Sequence, residues 1–168
     1  MIYVGTFSKT IFPSLRLGCM VVPPRLVDVF AGARSLADKH SSTLDQAILA
    51  DFINEGYFSR HVRQMRVLYE ERQKHLVAAA ERELAGLLEV PPADAGMHLV
   101  GWLPKGVSDR AAAESVARHG VRATPLSDYS FAPLPRGGLV LGYTALRPRA
   151  IKDGARRMAQ ALTELKRA

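Results

Sequence analysis

Cysteine is almost absent from this chain: of its 168 residues only Cys19 is one. No intramolecular disulfide can form, and Cys19 lies in an apolar run where a free thiol is expected to pack as a small hydrophobe. Long hydrophobic runs are lacking too. The longest, Leu17 to Val22, stops at Pro23-Pro24, far short of the roughly 20 apolar residues that cross a bilayer. The N-terminus enters a strand-like pattern with no basic segment and no apolar core of signal-peptide length, so a cytoplasmic protein with no membrane partner is expected. Internal repeats and low-complexity tracts are also wanting. His40, His61, His75 and His119 have no metal-ligand spacing with cysteine or carboxylate clusters, so no metal site is expected. His98, in an alternating strand, reads as a satisfied structural histidine, and Trp102 reads as core.

What is present is an ordinary globular balance, 48% hydrophobic and 23% charged, with a formal charge of +7. That charge is compatible with an anionic partner, but the cations are scattered. Arg63, Arg66 and Arg72 alternate with Glu70 and Glu71 around a helix, which describes a solvated face rather than a nucleic-acid surface. Ile2 to Val4 and Leu15 to Val22 read as strands, apolar at nearly every position and therefore suited to being covered on both faces of an α/β sheet. Arg25 to Ala37 forms a helix with Leu26, Val29, Phe30 and Ala33 on one stripe. Ser41, Ser42 and Thr43 offer N-cap hydroxyls to a second helix, Leu44 to Asn54.

From Ser59 to about Leu88 no proline interrupts a helical repeat of Val62, Met65, Tyr69, Leu76, Ala80, Leu84 and Leu87. At about 1.5 Å per residue it spans roughly 45 Å, enough to connect two domains. After Pro91-Pro92 the elements shorten: strand Met97 to Leu103, helix Ser108 to His119, a β-type segment Val121 to Pro125, strand Leu139 to Thr144, and helix Pro148 to Lys166 with Ile151, Ala155, Met158 and Leu162 inward. The order β-α-β-β-α describes a small α+β unit with helices against one sheet face. The expected division is residues 1–90, part of a larger domain with its connecting helix, and residues 91–168, a small C-terminal domain.

One stretch carries chemistry. Lys9 follows a strand-like run and opens a loop, a place where α/β proteins present functional side chains. An amine half-buried there loses solvation, which favours the neutral form that attacks a carbonyl, and Schiff-base formation is its natural use. Thr6 and Ser8 add hydroxyls, and Arg16 adds a planar donor fork. Together they suit a doubly charged phosphate held beside the lysine.

The complete string "YVGTFSKTIFPSLRLGCMVVP" resembles the lysine segment of fold-type-I pyridoxal-5'-phosphate enzymes, and its wording is most similar to the MocR subfamily of GntR-type transcriptional regulators. "FINEGYFSRHVRQMRVLYEERQKHL", "AGMHLVGWLP" and "GLVLGYTAL" are similar to that family's inter-domain helix and small-domain strands, so the resemblance covers essentially the whole chain. It implies an α/β fold: the C-terminal portion of an aminotransferase-like domain with a partial large-domain sheet, a long connecting helix and a small α+β domain. It further implies Lys9 as the Schiff-base lysine of pyridoxal 5'-phosphate, Ser8 and Arg16 on its phosphate with Thr6 assisting, and a small amine or amino acid as effector or substrate. DNA would be bound only through an N-terminal domain outside these residues.

Such proteins are much longer. The resemblance therefore implies a C-terminal fragment without the aspartate, the stacking aromatic and the glycine-led helix start that orient the cofactor, one that would hold it poorly and expose apolar faces, favouring a homo-oligomer. Aminotransferases of this fold often place a carboxylate-gripping arginine where this chain has Val140; Arg147 and Arg149 nearby are expected to be exposed. Two other readings stand beside the regulator: a fragment of a free-standing class I/II aminotransferase, with transaminase activity in its parent, and a dimerisation unit without cofactor chemistry.

Overall fold

The structure, a computed structural model, describes residues 1–40 and 42–167; the N-cap expectation at Ser41 lies outside them. The chain divides into two compact units, Met1–Gln64 and Met65–Ala168.

In the first unit, β1 (Tyr3–Thr6) pairs antiparallel with β2 (Gly18–Val21), from Tyr3 opposite Val21 to Thr6 opposite Gly18. Gly18 is required by that pairing, since a Cβ there would lie 2.7 Å from the carbonyl oxygen of Gly5. Pro23 and Pro24 end the ladder, lacking the N–H that would continue it, and a 3-10 turn at Pro24–Leu26 leads into α1 (Val27–Asp38). The Ser42 hydroxyl accepts from the Asp45 N–H at 3.3 Å and starts α2 (Thr43–Asn54), which satisfies one of the free donors of its first turn. α3 (Tyr57–Glu83) follows after Gly56, and the division between the units falls inside it.

The expectation that both strands are covered on both faces is not met. Val4, Met20 and Val21 are exposed, and of the described residues in this unit only Leu17 is a buried hydrophobic side chain. A two-stranded ladder with helices on one side has nothing to lay against its remaining apolar surface. Cys19 is corrected for the same reason, being exposed rather than buried.

The second unit holds the core. β3 (His98–Trp102), β4 (Thr124–Pro125) and β5 (Gly138–Gly142) form an antiparallel sheet with β5 in the middle. Register places Leu99 opposite Leu141 and Gly101 opposite Leu139, so one face is wholly apolar. On it pack α4 (Asp109–Arg118), α5 (Pro148–Arg167) and the later turns of α3, through Val116, Met158 and Ala80 among others. The inward residues expected on α5, Ile151, Ala155, Met158 and Leu162, are all buried. The opposite face carries His98, Val100, Trp102 and Val140. His98 is exposed and Trp102 only half-buried, so the structural-histidine and core readings give way to positions on the uncovered side. α3 ends earlier than its repeat suggests, at Glu83; Gly86, at φ +74°, reverses the chain so that Leu88 fills the space beside Gly101.

Asp109 ties this unit together from a buried position. Its carboxylate accepts from the Ser127 N–H at 2.8 Å and the Ser127 hydroxyl at 2.9 Å. Burial pushes the Asp109 carboxyl up, but those bonds and the backbone N–H groups of Gly138 and Arg110 outweigh it and hold the group below its ordinary value. A depressed folded-state value contributes stability above the ordinary carboxylate range and loses it as pH falls through the folded value.

Two outcomes are expected. Leu84→Ala, at a fully buried site, should lower the stability of the second unit by about 2–5 kcal/mol in urea unfolding. Asp109→Asn should cost about 1–3 kcal/mol at neutral pH and flatten the fall in unfolding midpoint that the wild type shows below about pH 4.

Candidate functional site

The β1–β2 hairpin ends in a long loop, and all four residues singled out in the sequence lie at that end. The ladder continues one step past the strands, with the Phe7 N–H donating to the Leu17 carbonyl at 3.0 Å. The Thr6 hydroxyl also points to the Leu17 carbonyl, at a long 3.5 Å, and accepts from the Ser8 N–H at 3.2 Å. Thr6, on β1, is thus beside Leu17, the neighbour of Arg16. Between them the chain closes a turn around Lys9, in which the Ile11 N–H and the Thr10 hydroxyl both donate to the Phe7 carbonyl, at 2.9 and 3.3 Å. A 3-10 turn at Pro13–Leu15 follows, and Arg16 leaves it in the left-handed conformation, φ 51° and ψ 25°, before Leu17 rejoins the ladder. That conformation is uncommon for a residue with a Cβ.

Lys9 and Arg16 are exposed and Ser8 half-buried. The semi-buried environment expected for Lys9 is therefore not found: its loop projects from the end of a ladder only two strands wide. Neither the Lys9 amine nor the Arg16 guanidinium forms a hydrogen bond or ion pair with another described residue. One nucleophilic amine, one planar cation and two hydroxyls on a single loop form a donor set that fits a phosphate-bearing aldehyde. A cavity of about 1090 Å³ opens on the hairpin face between β1, β2, α1 and α2, lined by side chains such as Leu17, Cys19, Phe30 and Leu49. Its wall is chiefly apolar and does not include Lys9.

Sequence reasoning missed what holds the lysine loop. The Nε2–H of His61, on the first turns of α3, donates to the Thr10 carbonyl at 2.9 Å. One helical turn before it, Phe58 meets Phe7 edge to face, with ring centroids 5.8 Å apart. No local pattern announces a contact between residues 51 positions apart.

On the small sheet, Val140 lies between Val100 and Thr124 in register, and no residue of β5 is cationic. Arg147 and Arg149 are exposed, as expected.

No protein-family model matches the chain. In fold it is similar over 99% of its length, with a TM-score of 0.89 and 28% identity, to 42% of the α-aminoadipate aminotransferase LysN of Thermus thermophilus, solved in complex with a phosphopyridoxyl-leucine. A multiple-substrate aminotransferase of Thermococcus profundus gives 0.88 at 27% identity. The chain accordingly has the fold of a C-terminal portion of a fold-type-I aminotransferase-like domain. In sequence it is similar to MocR-type regulators: it is 44% identical over 165 residues to the probable rhizopine catabolism regulatory protein MocR of Rhizobium meliloti, 98% of this chain and 34% of that protein. An HTH-type transcriptional regulator of Bacillus subtilis, YhdI, is 33% identical over 98% of this chain. The chain spans about a third of the length of these curated relatives.

Proposed function

We propose that this chain is the lysine-bearing part of the pyridoxal-phosphate-binding, effector-sensing domain of a MocR/GntR-type transcriptional regulator. The observation that carries the reading is the donor set of Lys9, Thr6, Ser8 and Arg16 on one loop, in a chain 44% identical to a MocR regulator over nearly its whole length. Lys9 offers its amine to the aldehyde carbon. The Arg16 guanidinium and the Ser8 hydroxyl would hold the phosphate, and the Thr6 hydroxyl, by accepting the Ser8 N–H, orients the turn that presents them. The bound cofactor supplies a carbonyl that condenses with amines and an electron sink. With an effector amine in its place, the Lys9 side chain would be free to accept or return a proton. In a regulator, that exchange is the signal.

DNA recognition belongs in this reading to a separate helix-turn-helix domain, in keeping with relatives in Bacillus subtilis that are HTH-type transcriptional regulators. Val140 favours a sensor over a transaminase, because a strand without a cation gives a substrate carboxylate no guanidinium to pair with. The exposed apolar side chains of β1, β2, α1 and α2 favour self-association as a homo-oligomer.

Incubation with pyridoxal phosphate, borohydride reduction and peptide mapping should place the label on Lys9 ahead of the surface lysines, with Arg16→Ala weakening it about tenfold or more. Uniform labelling of all lysines would contradict the reading. In analytical ultracentrifugation the chain is expected to sediment as a dimer or larger species; a monomer at every concentration would remove the oligomer.

A further inference from the structure

We propose that His61 is a positioning residue for Lys9, acting through the backbone of the lysine turn; the inference rests on the reading of Lys9 as the condensing amine. The turn Phe7–Ile11 is closed internally by two bonds to the Phe7 carbonyl. Those bonds set its shape but not its direction, because both ends of each lie inside the turn.

Direction comes from α3. Phe58 and His61 sit three residues apart on one helix face, and they touch the turn on either side of Lys9. Phe58 packs on Phe7, two residues before the lysine, and His61 bonds Thr10, the residue after it. This hydrogen bond ties the turn Ser8–Thr10 to α3. The accepting group is a carbonyl, so the ring presents Nε2–H and its tautomer is set by the contact. A lysine side chain is a flexible stem carrying a point charge, and the range of its amine is decided by where its Cα is held. An exposed turn at the end of a two-stranded ladder has little other restraint. His61 therefore narrows the directions from which the Lys9 amine reaches a bound aldehyde, without itself touching it.

The test compares wild type, His61→Phe, His61→Ala, His61→Asn and Lys9→Ala in the chain as it stands, with two readouts. The first is amide hydrogen exchange across Ser8 to Ile11 with no cofactor added. The second is borohydride-trapped pyridoxal phosphate on Lys9. Loss of one hydrogen bond of ordinary strength should raise exchange across the turn about three- to tenfold in His61→Phe and His61→Ala and lower labelling of Lys9 by a similar factor. His61→Asn, whose amide can donate to the same carbonyl, should restore both, with exchange of Glu70 to Glu83 unchanged throughout. Wild-type exchange and labelling in the donor-less variants would overturn the proposal, as would an Asn variant that behaves like Ala. Should wild type and Lys9→Ala take up the same total label over the whole chain, the cofactor reading fails, while the cofactor-free exchange arm still decides whether His61 orients the turn.

Discussion

The backbone pairing that closes the β1–β2 hairpin is the constraint on which the site depends. Because the Phe7 N–H reaches the Leu17 carbonyl, the chain on either side of an intervening loop is returned to one place, and Thr6 ends up beside the neighbour of Arg16. Gly18 permits that closeness, since a Cβ there would collide with the Gly5 carbonyl. The amine, the guanidinium and the hydroxyls are otherwise carried on side chains that make few bonds of their own. Their assembly is a property of backbone hydrogen bonds, which are short, directional and indifferent to the solvent exposure of the side chains.

The two units obey different physics. The second has a continuous apolar core under one sheet face, with a buried carboxylate fixing the start of α4 to the turn before β5. The first has one buried hydrophobic residue and a display of exposed ones, fourteen of the eighteen large apolar side chains exposed among the described residues. An apolar surface on that scale is unfavourable in water and seeks cover. The Lys9 loop thus sits on the unit with the weaker internal packing, where contacts such as His61 with Thr10 carry more of the ordering.

Much of this was legible in the sequence. Helices α1, α2, α4 and α5 follow from their apolar stripes and caps, and the inward face of α5 was read residue by residue. The candidate site could be assembled from sequence because its four residues lie within eleven positions, so that spacing along the chain stands in for distance in space. What escaped was long-range or dependent on cover. Nothing near His61 signals its bond to Thr10. The apolar runs of β1 and β2 were read as doubly covered because hydrophobicity records what a strand prefers, not whether another element meets it. Cys19 was misjudged on the same ground, and α3 stops at Glu83 because Gly86 turns the chain where the apolar repeat alone would continue it.

The central claim is that an anion anchor and a condensing amine share one loop. It is tested most directly by titrating the chain with pyridoxal phosphate and, separately, with pyridoxal, which has the same aldehyde and no phosphate, while following modification of Lys9. The account predicts that the phosphorylated aldehyde modifies Lys9 at a concentration at least about tenfold lower, and that Arg16→Ala erases the difference. Equal modification by both aldehydes in the wild type would contradict it.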